Sequence, residues 1–236
     1  MFNIALNNQK RTIMKKLCFL LTVFLFTSAV YAQNFHFGLK AAPSLAWLKP
    51  DTKGIASNGT KIGFSYGIMT DFGFTDNYAL GTGIDVTYRG GSLTATTPIV
   101  IDTLGNTAVQ EITTDFRLQY IELPITLKMK TNEIGYFTYF GQFGFAPGIL
   151  INAKGDLESK IAGQQGATVL EDENIKDDIN NLTLSMIIAL GAEYNLGGRT
   201  SLLTAITFNN GFVDVLDDKE AKATSSYFAL TLGVFF

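Results

Sequence analysis

Cysteine is all but absent. Cys18 is the only one in 236 residues, and it opens an apolar run directly after Lys16-Leu17. A cysteine marked for lipidation closes such a run, so this one is not read as a lipid anchor. Without a second thiol there is no disulfide framework and no thiolate cluster for a metal. Histidine is reduced to His36, and HExxH, CxxC and phosphate-cradling glycine loops are missing. The chain therefore carries no motif of a recognised catalytic or metal site. Charge is scarce, at 17% of residues. Beyond Ala32 no apolar run approaches the roughly 20 residues of a membrane-spanning helix.

The first apolar run has a different character. Lys15 and Lys16 precede Leu17 to Phe26, and Val30-Tyr31-Ala32 places small residues where a signal peptidase reads them. This is the pattern of a secretory signal peptide, residues 1–32, with cleavage before Gln33. Met14 offers an alternative start, which would put residues 1–13 upstream of the protein. Four of the 18 Lys and Arg fall in the leader (Lys10, Arg11, Lys15, Lys16) and none of the 21 Asp and Glu. The remaining 14 cations against 21 anions give a charge of −7, which excludes nucleic acid as a partner for want of a basic patch.

Residues 33–236 form one domain built on alternation. In 225–236, Phe228, Leu230, Leu232, Val234 and Phe236 share one face, and Tyr227, Ala229, Thr231, Gly233 and Phe235 the other. A period of two is that of a strand. The same pattern recurs at about 35–47, 61–74, 78–89, 116–130, 135–151, 181–194 and 199–210, the last less cleanly because Leu203 falls on the wrong side. Connections alternate between tight (75–77, 131–134, 195–198) and long (48–60, 90–115, 152–180, 211–224). Each strand has one strongly apolar face and one small or polar face. A soluble lipocalin-like barrel would have to wet those apolar exteriors. The pattern instead predicts an all-β fold, an eight-stranded antiparallel up-and-down transmembrane β-barrel with its apolar face in lipid. Trp47, Tyr66, Tyr78, Tyr88, Tyr139 and Tyr194 lie on the lipid side, where they would form interfacial girdles.

The inward parity collects Lys40, Arg89 and Lys128 with Asp71, Asp85, Glu122 and Glu193. An eight-stranded barrel is just wide enough to be filled by side chains. These charges are therefore expected to pair and plug the lumen, with a narrow ion path as the alternative. Pro124 cannot donate to a ladder, which predicts a local bulge beside Pro147. Glu122 is expected to bond an inward cation such as Lys128 or Lys40. His36 has no assignable Ser, Asp or Glu partner, so neither catalytic nor metal residues are expected, and no cofactor. Asp156, Glu158, Glu171, Asp172, Glu173, Asp177 and Asp178 in one long connection, with Asp214, Asp217, Asp218 and Glu220 in another, read as a solvated acidic surface.

Tyr120-Ile121-Glu122-Leu123-Pro124-Ile125-Thr126-Leu127-Lys128 resembles the Y-[IL]-E-[IL]-P-x-x-L-K strand of the PorT-like outer-membrane β-barrel family. Phe37-Gly38-Leu39-Lys40, Asn77 to Gly83 and Leu232 to Phe236 resemble it too. The resemblance implies an eight-stranded barrel in the bacterial outer membrane, inserted by a barrel-assembly machinery that reads the terminal strand (Phe228, Leu230, Leu232, Val234, Phe236). It implies no defined biochemical activity, and the function expected from the whole chain is that of a non-enzymatic protein, structural or supporting an envelope or secretion assembly. A narrow porin-like channel is the alternative, and a lipid A-modifying barrel enzyme a distant third.

Overall fold

The computed structural model describes residues 35–100, 107–162, 166–218 and 221–236. The expected signal peptide, with Met14 and Cys18, lies outside the described residues, as does Glu220.

Among the described residues eleven strands run in chain order: β1 (Phe35–Pro50), β2 (Ile55–Ser57), β3 (Lys61–Gly73), β4 (Tyr78–Val100), β5 (Thr107–Glu122), β6 (Ile125–Lys130), β7 (Phe137–Ile161), β8 (Ala167–Asn174), β9 (Leu182–Gly197), β10 (Thr200–Asp214) and β11 (Ala223–Phe235). They close into an antiparallel ring, β1-β3-β4-(β5 then β6)-β7-β9-β10-β11, and β11 returns to β1. Counting β5 and β6 as one stave, the ring has eight members, while β2 and β8 add to β4 and β7 outside it. Closure pairs the terminal strand twice. Leu39 faces Val234 and Leu45 faces Phe228 at the seam, and Ile206 faces Leu230 on the other side. Among the described residues each stave of the ring pairs with a neighbour on both sides, which is what a bilayer requires.

Alternation sets the two surfaces. Phe228, Leu230, Leu232 and Phe236 point out and are exposed, whereas Tyr227, Ala229 and Phe235 point in and are buried. Aromatic side chains gather in two belts around the exterior. Trp47 packs on Phe208 and Phe228, and Tyr66 stacks on Tyr88, towards the long connections. Phe74 stacks on Tyr78, and Phe137 touches Tyr139 and Tyr194, towards the tight turns. The tightest of those turns is made by Gly197 and Gly198, both at positive φ, a conformation that costs glycine nothing.

Two expectations need correction. Much of what reads as the connections 90–115 and 152–180 is strand. β4 continues to Val100 and β7 to Ile161, with β5 between them from Thr107. Their sequences, such as Leu93-Thr94-Ala95-Thr96-Thr97, are rich in β-branched residues that suit a pleated surface. Thr94 and Thr113 also bond across the pair at 2.9 Å. β4, β5, β7 and β8 thus extend one wall beyond the aromatic belt as a projecting sheet. The bulge expected at Pro124 is also absent. The ladder is interrupted there, but Glu122 faces Gly148 and Ile125 faces Phe145, so equal residue numbers keep the register. The Leu123 N–H, donated to the Pro147 carbonyl at 2.9 Å, holds the gap closed. The register shift lies one turn of pleat away, between Gln119 and Tyr120, where β7 carries the extra residue Ile151.

Candidate functional site

The lumen is filled in tiers. Nearest the tight turns, Lys128 of β6 reaches Asp71 of β3 at 2.6 Å and Glu193 of β9 at 2.5 Å. Lys130, two residues along the same face, lies 3.5 Å and 3.3 Å from the same two carboxylates. The Lys128 ammonium also sits over the rings of Phe140 (4.3 Å) and Phe235 (4.9 Å). Those rings pack with Met69, Leu203 and Ala205. Leu203, out of phase with an outward apolar face, is therefore part of the filling. Burying a lysine this deeply carries a desolvation cost that such partners offset.

Above it, Lys40 pairs with Asp85 at 2.7 Å. Farther along, Arg89 Nη1 lies 2.9 Å from Glu122 Oε1, and both side chains are at most 3% exposed. That contact is ionic rather than a hydrogen bond, because neither atom has a hydrogen-bond partner among the described residues. Orientation comes from neighbours: Thr87 Oγ1 donates to Glu122 Oε2 at 2.9 Å, and Arg89 Nη2 donates to Thr183 Oγ1 at 3.0 Å. The guanidinium lies 4.4 Å from the Tyr120 ring centre and 5.9 Å from that of Tyr227. Glu122 thus takes Arg89 as its partner, not Lys128 or Lys40. All seven inward charges named from the sequence meet in three groups, and Lys130 joins them. Between the groups remains a cavity of about 70 Å³, lined among others by Lys40, Asp85, Pro124 and Lys128. It has room for a few waters, at about 10–15 Å³ each, and is far below the roughly 300–1,000 Å³ of a small-molecule site.

The long-connection mouth is closed differently, by an apolar lid. Leu48, Leu93, Phe116, Leu118 and Leu150 turn inward and pack with Ile179 and Val215. The last two come from outside the ring strands. Asn180 N–H donates to the Val215 carbonyl at 2.8 Å, and Val215 N–H to that of Ala223 at 2.7 Å. The Asn180 amide adds bonds to the Asp214 and Leu216 carbonyls. Two long connections are thereby stitched across the opening.

His36 stands at the other mouth, edge-on to Phe235 with ring centres 6.2 Å apart. Among the described residues no group of three or more His, Cys, Asp or Glu is arranged to hold a metal. The acids of the long connections do not all face free solvent. Asp156 pairs with Arg117 at 2.9 Å, and Asp172 with Arg117 at 3.0 Å and Lys154 at 2.5 Å. Lys61 bonds Asp115 at 2.6 Å. The Lys154 hydrogen bond, with the charges of Lys154 and Arg117, holds the Asp172 carboxyl below its ordinary range. Partial burial would raise Asp115, but hydrogen bonds from Lys61 and Ser92 and the nearby charges more than reverse this.

No curated protein matches the sequence. Among solved structures, Neisserial surface protein A is 14% identical, with 85% of this chain and 95% of that one covered at a TM-score of 0.46. Ail of Yersinia pestis is 14% identical over 86% and 100%, at 0.36. OprG of Pseudomonas aeruginosa is 10% identical over 85% and 95%, at 0.39. The model of the outer membrane protein beta-barrel domain matches residues 31–217, most of the chain. The protein belongs to that family, and its place is the bacterial outer membrane.

Proposed function

We propose that the protein is a non-enzymatic, non-conducting barrel that holds its projecting sheet at the cell surface, as a structural part of the envelope or a support for a secretion assembly. One observation carries this reading: the lumen is blocked twice, by buried ion pairs centred on Lys128 and Arg89 and by the apolar lid around Leu118. A conducting path would have to separate charges that are nearly inaccessible to water, at a cost of several kcal/mol per ion. The Tyr120–Lys128 segment supports the PorT-like assignment. The terminal strand, with Phe228, Leu230, Leu232, Val234 and Phe236 on its lipid side, suits a signal read by the barrel-assembly machinery. Planar-bilayer recording of the purified chain tests the plug. The expected trace is silent, and stable steps above about 100 pS would replace this reading with the narrow channel. Crosslinking in native membranes tests the support role, with a stoichiometric envelope protein as the expected product.

A further inference from the structure

The outside of the projecting wall changes character in rows. Following the register across β3, β4, β5 and β7, one outward row reads Tyr66, Val86, Ile121, Ile149. The next reads Phe64, Tyr88, Gln119, Asn152, with the Gln119 amide donating to the Tyr88 hydroxyl at 2.9 Å. Then come Gly90, Arg117 and Lys154, and beyond them Ser92, Asp115 and Asp156. From lipid outward the order is apolar, amphipathic, cationic, anionic.

The cationic row borders a groove of about 500 Å³ that Lys61 also lines. Gly90 forms part of its floor. A Cβ there would lie 1.9 Å from the Phe116 carbonyl oxygen, so the position takes no side chain. Lys61, Arg117 and Lys154 keep 42%, 53% and 41% of their side-chain surface exposed. Asp115 and Asp156 line the groove as well, one row farther from the lipid, and with Asp172 of β8 they hold the three cations in place. Lys61 and Lys154 each have three N–H donors and give one to a carboxylate among the described residues. The remaining donors are available to an acceptor just beyond the amphipathic row of Tyr88, Gln119 and Asn152.

We propose that this groove binds the phosphate of a phosphorylated glycolipid headgroup in the outer leaflet, with Lys61, Arg117 and Lys154 as its ligands and Tyr88 against the acyl chains. Charge-assisted bonds from lysine and arginine are what phosphate oxygens select. The source is a membrane lipid because the groove opens sideways, directly above the row that meets acyl chains. The site lies outside the barrel and is independent of whether the lumen conducts.

Native mass spectrometry of the full chain, released from detergent with bis-phosphorylated lipid A, tests this. Wild type should retain the lipid. The variant K61Q/R117Q/K154Q should retain about tenfold less, as expected for loss of the charge-assisted bonds to one phosphate. Lys160→Gln, a cation of the same sheet outside the groove, should retain it as wild type does. Lipid A stripped of phosphate should bind no variant better than the triple one binds the intact lipid. Equal retention by the folded triple variant, or by dephosphorylated lipid on wild type, overturns the proposal. So does inorganic pyrophosphate binding as tightly as the lipid, which would make the site one for free phosphate. If the triple variant does not fold, as shown by loss of heat-modifiable gel mobility, Lys154→Gln takes its place. It leaves the Arg117–Asp156 pair intact and should still lower retention about threefold.

Discussion

Lys128 inside the barrel and Lys154 on the outer wall each reach a carboxylate at 2.5 Å, but the two pairs differ in what surrounds them. Lys128 is 1% exposed and boxed by Phe140 and Phe235, while Lys154 is 41% exposed at the edge of a groove. The inner pair exists because the barrel forces its charges out of water, so each charge depends on the other. The outer pair could dissolve and be rehydrated at little cost. Similar contact distances therefore mean opposite things. Inside, each charge is a condition of the other's burial and, on the function proposed above, the pair is a barrier to passage. Outside, it is loosely held charge, available to a ligand.

Breaking an inner pair should give the largest effect. Glu122→Ala leaves the Arg89 guanidinium buried against Tyr120 and Tyr227 with Thr183 as its remaining side-chain acceptor. The expected cost is about 3–5 kcal/mol of unfolding free energy, read from urea titration in lipid vesicles. Removing both charges, Arg89→Met with Glu122→Leu, should recover most of that loss. A single variant costing less than about 1 kcal/mol would put the inner pair in the same class as the outer ones, and the contrast would collapse.

How much of this contrast is legible before folding follows from what strand parity encodes. Alternation tells which side Lys40, Asp71, Asp85, Arg89, Glu122, Lys128 and Glu193 take, because a side chain's face depends only on its position along the strand. It does not tell who meets whom. Arg89 and Glu122 are not register partners, since Glu122 faces Asp85. They meet diagonally, which depends on the stagger of closure. Lys130 shares the parity of Lys128 and closes the segment 116–130, so alternation turns it inward too, although the inward set named from the sequence stops at Lys128. The lid is missed for another reason. Ile179 and Val215 lie off the ring strands, and burial of a connection leaves no periodic trace. Length obscures the outer cations. Reading 90–115 and 152–180 as connections leaves Arg117 without Gly90 and Lys154, the neighbours that make up its row.

Breaking an outer pair should cost far less. Arg117→Ala removes two contacts, to Asp156 and Asp172, from a side chain 53% exposed. The expected loss of global stability is about 0–1 kcal/mol. Raising salt sharpens the comparison, because a Debye length of about 3 Å at 1 M screens exposed pairs and leaves buried ones nearly untouched. Wild type at high salt should therefore match Arg117→Ala in the projecting sheet while keeping the unfolding midpoint of the barrel. A midpoint that falls with salt as far as it does in Glu122→Ala would mean that the lumen pairs are hydrated.

The smallest effect should be acid loosening of β8, and its sign is fixed by Asp172 and Asp115. Both carboxyls are held below their ordinary value of 3.8, Asp172 chiefly by the Lys154 hydrogen bond. A carboxylate depressed in the folded state stabilises it fully above the unfolded value and loses that contribution as pH falls through the folded one. The β7–β8 pairing should thus keep constant amide protection from pH 7 down to 5. Protection of Val169 and Leu170, which face Glu158 and Leu157, should fall only once pH drops below 3.8. Asp172 is exposed and sits at a φ of 60°, so the change should be confined to the hairpin and leave β5 to β7 protected. Loss of protection already above pH 5 would mean that the outer carboxylates are not held by Lys154 and Arg117. The cations would then be freer still, and the contrast with Lys128 wider than the geometry implies.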